Sequence, residues 1–101
     1  NIILKARENS PHTLSIEIEV ETVQEAQEAL NAKADVLLLD NMSIEDMRYV
    51  VNLVDGHCLL EASGGITIKT VKQVAETGVD LISVGSITHS VKSLDISLDF
   101  E

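Results

Sequence analysis

The sequence predicts an α/β fold with parallel strands in the order βαβαβαβ, about half of a (β/α)8-type barrel. Three observations lead there. Strand-like apolar segments alternate with capped helical stripes along the chain. The acids Glu19, Asp40 and Glu61 recur at 21-residue spacing, each at the expected end of a strand, and Gly85 follows 24 residues later. Two joints also rhyme: Lys33-Ala34-Asp35-Val36 and Gly78-Val79-Asp80-Leu81.

Residues 1–9, with Ile2, Ile3 and Ala6, read as the end of an earlier helix. Leu14 to Glu21 then alternate apolar and polar without exception, the mark of a strand with one face of each kind. Thr22-Val23-Gln24-Glu25 is a capping box, and Val23, Ala26 and Leu30 keep helical spacing behind it. Val36-Leu37-Leu38-Leu39 is a short continuous apolar run, as a strand covered on both sides requires, and Asp40 ends it. Ser43 heads a second helix with Ile44, Met47, Val51 and Val54 in one stripe, stopped at Asp55-Gly56. Cys58-Leu59-Leu60 forms the next strand, ending at Glu61. Thr67 starts a third helix carrying Ile68, Val71 and Ala75, closed by Gly78. Leu81 to Val84 is the last strand, ending at Gly85. From Thr88 to Glu101 one more short helix or an extended segment is expected.

Alternation in the first strand sets Ser15, Glu17 and Glu19 opposite the aliphatic face. A doubly wound sheet would bury that row of carboxylates under helices, at high cost. Inside a barrel the row faces the axis, so the barrel is the expected architecture. A complete barrel needs about 250 residues. The 101 residues therefore read as its C-terminal half, a single unit spanning 1–101 that lacks the first barrel half and any N-terminal domain, in keeping with a first residue, Asn1, that is not Met.

Composition narrows the function classes. Seventeen acidic against seven basic residues give a net charge of −10, which argues against nucleic acid and anionic membrane as partners. A lone Cys58 excludes an internal disulfide and favours a reducing, cytoplasmic setting.

Ligands of both candidate architectures sit beyond the carboxyl ends of the strands. Glu19, Asp40 and Glu61 are expected there, suited to Mg2+, to sugar hydroxyls or to a developing positive charge, although strand-end acids also cap helices or face water. Glu17, lower in the interior, is expected in a buried ion pair. Ser63-Gly64-Gly65 and Gly85-Ser86 form two small-residue loops on adjacent strands, the arrangement that grips phosphate in (β/α)8 barrels; a glycine pair also serves a plain tight turn. His89, four residues past Gly85, reaches the same anion or caps the tail. His12 and His57 read as surface residues on the other rim, and Cys58 as a small buried side chain.

In order along the chain stand Glu17-Ile18-Glu19-Val20-Glu21, Leu39-Asp40-Asn41-Met42, Glu61-Ala62-Ser63-Gly64-Gly65-Ile66, Ala75-Glu76-Thr77-Gly78-Val79-Asp80, Ser83-Val84-Gly85-Ser86-Ile87-Thr88-His89-Ser90 and Leu94-Asp95-Ile96-Ser97-Leu98-Asp99. This series resembles the C-terminal part of the quinolinate phosphoribosyltransferases, over residues 11–101. The resemblance implies transfer of phosphoribosyl from 5-phosphoribosyl diphosphate to quinolinate with loss of carbon dioxide, giving nicotinate mononucleotide for NAD biosynthesis. It further implies Mg2+ as cofactor and a homo-oligomer, dimer or higher. By the same resemblance Glu19 and Asp40 are the catalytic acids beside ribose and Mg2+, the metal being held directly or through water. Ser63, Gly64, Gly65, Gly85 and Ser86 are the phosphate cradle, with His89 close by.

The cationic residues with which that family binds its dicarboxylate and diphosphate lie upstream and have no counterpart here. Lys5, Arg7, Lys33, Arg48, Lys69, Lys72 and Lys92 fall by pattern on helices or termini. The piece alone is therefore expected to be inactive. Two other readings fit the acids: a Mg2+-assisted enolising barrel, which needs a Lys or His base at a strand end, and a non-catalytic half-barrel that pairs with a second copy.

Overall fold

A computed structural model describes residues 3–10 and 13–94, with side chains from residue 15 onward. The chain forms β1 (Ile3–Ser10), β2 (Thr13–Val20), α1 (Val23–Asn31), β3 (Val36–Asp40), α2 (Ile44–Val54), β4 (Leu59–Ser63), α3 (Val71–Glu76), β5 (Leu81–Val84) and β6 (Ile87–Ser90), then one 3-10 turn, Val91–Ser93. The six strands make one sheet in sequence order, β1 to β6. β2 to β5 are mutually parallel, as the alternation predicts, whereas β1 and β6 flank them antiparallel. The order never reverses, so there is no switch point of the doubly wound kind, and the sheet fits a partial (β/α)8 barrel.

The sequence misassigns β1, and it reads the turn into β6 as a plain loop. The extended or helical segment expected from Thr88 is found as β6 and the Val91–Ser93 turn. Residues 3–10 are a strand, not a helix end: Leu4 and Ala6 alternate with Lys5 and Arg7, and β1 pairs Leu4 with Ile18 and Ala6 with Ile16. Lys5 and Arg7, expected on a helix or terminus, therefore stand opposite Glu17 and Ser15 in register. After β5 the chain turns back through Gly85-Ser86, with Val84 facing Ile87, into β6. Gly85 has φ +64 and Ser86 has no positive φ, which defines a two-residue II′ hairpin. The tail beyond Leu94, and His12, lie outside the described residues.

The helices follow their caps. The Thr22 hydroxyl accepts from the Glu25 amide (3.1 Å), while Glu25 Oε1 accepts from the amide of Glu21 (2.8 Å), one residue before the cap. Ser43 caps α2 through the Asp46 amide, and Asp55 ends it in the left-handed region. α3 is shorter than its pattern: Thr67 N donates to Thr70 Oγ1 in a turn, the helix begins only at Val71, and Ile68 stays exposed.

One aliphatic core lies between the helices and one face of the sheet. Ile18, Val20, Leu37, Leu39, Leu60, Ala62 and Ile82 meet Ala26, Met47, Val50, Val71 and Val74 there. Burying each larger side chain contributes about 1.5–3 kcal/mol. The other face carries the alternate positions and is half open: Glu19, Leu38, Asp40, Glu61, Ser63 and Ser83 are partly buried, and Leu59 is exposed. Among the described residues no helix is long and apolar enough to cross a membrane.

Candidate functional site

The two ends of the parallel strands are built differently. At the amino end, the rhyming joints prove to be two copies of one clasp. Asp35 N donates to Ile16 O (2.8 Å) while Asp35 Oδ2 accepts from Ile16 N (2.7 Å). Asp80 N donates to Leu60 O (2.9 Å) while Asp80 Oδ2 accepts from Leu60 N (2.9 Å). Each aspartate thus binds both polar groups of one residue on the preceding strand, a charge-assisted pair that fixes register. Cys58 lies half-buried beside this rim. Its burial, then the carboxylates of Asp80 and Asp35, push its thiol pKa up, so the thiol is neutral and unreactive at ordinary pH. A cavity of about 420 Å³ on this rim, between β5 and the Val91 turn, has mostly apolar walls.

The carboxyl end holds the predicted site. Registers align Glu19 with Leu38 and Leu38 with Glu61, and Asp40 with Ser63. Glu19 and Glu61 therefore flank Leu38, each about 4.8 Å away strand to strand, and Asp40 stands two residues higher on β3. Glu61 is mid-strand rather than at the strand end expected for it, because β4 continues to Ser63. Its Oε2 accepts from Ser83 Oγ (3.0 Å), and Ser83 Oγ lies 2.7 Å from Thr88 Oγ1. An ionised carboxylate only accepts, so the Ser83 proton points at Glu61 and Thr88 donates to Ser83. By contrast, no hydrogen bond or ion pair holds the carboxylates of Glu19 and Asp40 among the described residues. Glu17, expected in a buried ion pair, is buried on the same face opposite Val36.

The glycine turn after β4 lies against Asp40. Asn41 N donates to Ser63 O (2.8 Å), which extends the β3–β4 pairing past the strands. A Cβ on Gly64 would lie 2.5 Å from Asp40 Oδ1 and 2.9 Å from Asn41 N, and Gly64 has φ +85, so glycine is required for both space and backbone. Gly65, φ +71, has Asn41 Oδ1 over it. A cavity of about 210 Å³ opens between the loops after β3 and β4, walled by Asn41, Ser43, Gly64, Gly65 and Thr70. The late start of α3 removes the helix terminus from the expected cradle, so its donors are the backbone amides of the turn itself.

Topology brings Glu19, Asp40, Ser63, Gly64, Gly65, Gly85 and Ser86 to one end of the sheet. It does not bring His89 there: on β6 it pairs with Ile82, on the helix-packed face and back toward the amino end. His57 is exposed on the amino rim, with Nδ1 2.9 Å from Val54 O. No group of three or more His, Cys, Asp or Glu side chains among the described residues is spaced to hold a metal ion. Glu19 and Asp40 suit a Mg2+ that keeps its waters and arrives on a ligand's phosphates, and do not suit a resident ion. Sequence reading passed over Asn41, whose signal is its place directly after a strand-end acid and opposite a glycine pair.

A sequentially ordered parallel sheet, with acids and glycine turns at its carboxyl end, defines part of an α/β-barrel domain. The chain matches the family model for the quinolinate phosphoribosyl transferase C-terminal domain over residues 1–99, and belongs to that family. It is 45% identical over 95 residues to a probable carboxylating nicotinate-nucleotide pyrophosphorylase of Bacillus subtilis, covering 94% of this chain and 33% of that protein. A probable enzyme of the same name from Methanocaldococcus jannaschii is 39% identical over 104 residues, covering 96% of this chain and 37% of its own. The crystal structure of nicotinate-nucleotide pyrophosphorylase from Ehrlichia chaffeensis superposes with TM-score 0.69 at 39% identity, over 75% of this chain and 28% of that one. The chain thus spans about a third of the length of these curated relatives.

Proposed function

We propose that this chain is the C-terminal part of a longer enzyme, a carboxylating nicotinate-nucleotide pyrophosphorylase of the cytoplasm that works as a homo-oligomer. Its substrates are quinolinate and the Mg2+ complex of 5-phosphoribosyl diphosphate. The single observation that carries the reading is the pair of unengaged acids, Glu19 and Asp40, with Asp40 lying directly against the Gly64 turn.

In the reaction the bond from the anomeric carbon to diphosphate breaks, and the quinolinate ring nitrogen bonds to that carbon. The adjacent carboxylate leaves as carbon dioxide, and a proton takes its place on the ring. Positive charge builds on the ribosyl carbon as diphosphate departs, and Glu19 and Asp40 stabilise it electrostatically while accepting from the ribose hydroxyls. Glu19 and Asp40 would hold Mg2+ through its waters, and the ion, when bound, would supply positive charge to neutralise the departing diphosphate. The turns Ser63-Gly64-Gly65 and Gly85-Ser86 hold the 5′-phosphate, so binding remote from the reacting carbon keeps it aligned.

The axis-facing side bears Glu17, Glu19, Asp40 and Glu61, with Lys5 and Arg7 in register opposite Glu17 and Ser15, so the acids outnumber the cations near a multiply charged substrate. The same row disfavours pairing of two copies through this face, and among the described residues with side chains no Lys or His stands at the carboxyl end to serve an enolising reaction. A turnover assay on the 101-residue chain alone should give no nicotinate mononucleotide. Titration of 5-phosphoribosyl diphosphate with Mg2+ into the full-length enzyme and its Asp40→Ala variant tests the site: the variant binds at least about tenfold more weakly. Equal affinity would remove Asp40 from it.

A further inference from the structure

The structure points to Asn41 as a residue that positions the phosphosugar through its side-chain amide, an inference that rests on the function proposed above. Asn41 follows Asp40 directly and has φ +59, a left-handed backbone that most L-residues avoid and Asn tolerates. Its own N–H is engaged by Ser63 O at 2.8 Å, so the residue is tied to the end of β4. That tie and the left-handed backbone carry the side chain across the glycine turn, where its Oδ1 would lie 3.4 Å from a Cβ on Gly65. The carboxamide is exposed at the 210 Å³ cavity and makes no side-chain hydrogen bond among the described residues.

The chemistry of the mouth gives this amide a task. The cavity is lined by no acid, and beside the backbone N–H groups of the turn it offers the side chains of Ser43, Thr70 and Gln73 as donors. Asn41 adds a side-chain N–H donor to this set, beside the turn whose Gly64 lies against Asp40. A neutral donor there binds a phosphate oxygen or a sugar hydroxyl without drawing the Asp40 carboxylate into an ion pair. The same hydrogen bond serves ground state and transition state alike, so its loss raises KM and leaves kcat nearly unchanged.

Asn41→Gly separates this role from a structural one. Glycine takes φ +59 without strain, so the melting temperature of the 101-residue chain holds or rises. In the full-length enzyme the same variant raises KM for 5-phosphoribosyl diphosphate by about 10- to 30-fold, with kcat within about threefold. Asn41→His, which also tolerates the left-handed region and keeps an N–H donor, recovers part of that loss. Asn41→Asp places a like charge beside Asp40 and raises KM further than glycine does. Unchanged KM in Asn41→Gly, with Asp40→Ala impaired, would overturn the role of Asn41 and leave the enzyme reading standing. Unchanged KM in both would overturn both.

Discussion

The two rims of the parallel sheet use the same residue type for opposite ends. At the amino rim Asp35 and Asp80 each hold the amide of a neighbouring strand, and the two clasps repeat almost atom for atom. At the carboxyl rim Glu19 and Asp40 hold nothing among the described residues, while positive φ occurs at both rims, at Asn41, Gly64, Gly65 and Gly85 here and at Lys33, Asp55, Gly56 and Gly78 at the other. One rim is saturated and maintains register. The other keeps the acceptors of Glu19 and Asp40 available. A carboxylate's place along the strand, more than its identity, decides whether it serves the fold or a ligand.

Substitutions can break this contrast. The largest effect is expected at Gly64→Ala, where the new Cβ collides with Asp40 Oδ1 and Asn41 N at φ +85. Stability should fall by about 3 kcal/mol in urea unfolding, and activity of the full-length enzyme by more than the folded fraction explains, since Asp40 must move. Asp80→Ala leaves the Leu60 amide without its carboxylate; about 2 kcal/mol should be lost, with kcat per folded molecule unchanged. Gly85→Ala isolates backbone from space: φ is +64 but nothing lies within 4 Å, so about 1 kcal/mol is expected, well short of Gly64→Ala.

The smallest effect concerns Cys58. Its pKa is raised by burial and then by the Asp80 and Asp35 carboxylates, so the folded state favours the neutral thiol. That preference stabilises the fold below the unfolded thiol's value, near 8.5, and is lost as pH rises through the folded value. Iodoacetamide should therefore react more slowly than with a free thiol at pH 8, and Asp80→Asn should quicken it. Equal rates would sever the thiol from the clasp.

Much of this was legible in the residues. Strict alternation fixed β2 and its two faces, the capping box placed α1, and the 21-residue acid spacing tracked successive strands. The Lys33–Val36 and Gly78–Leu81 rhyme was visible, yet its meaning was not, because a clasp exists only once residues 19 or 20 apart are neighbours. β1 was misread because Ile2, Ile3 and Ala6 also fit helical spacing, and pairing with β2 decided between the periods. Gly85-Ser86 was read as a loop, although a two-residue Gly-Ser step between Val84 and Ile87 is itself a hairpin signal; missing it put His89 at the mouth instead of on β6. Asn41 was overlooked because a left-handed φ leaves no mark in composition.

Asp40→Asn and Asp80→Asn in the full-length enzyme, each assayed for melting temperature and for kcat/KM, probe the division between the rims most directly. Asp40→Asn should lower kcat/KM by about 100-fold or more while the melting temperature holds or rises. Asp80→Asn should do the reverse. A drop in melting temperature at Asp40 matching that at Asp80, with activity kept, would contradict the assignment of the carboxyl rim to ligand binding.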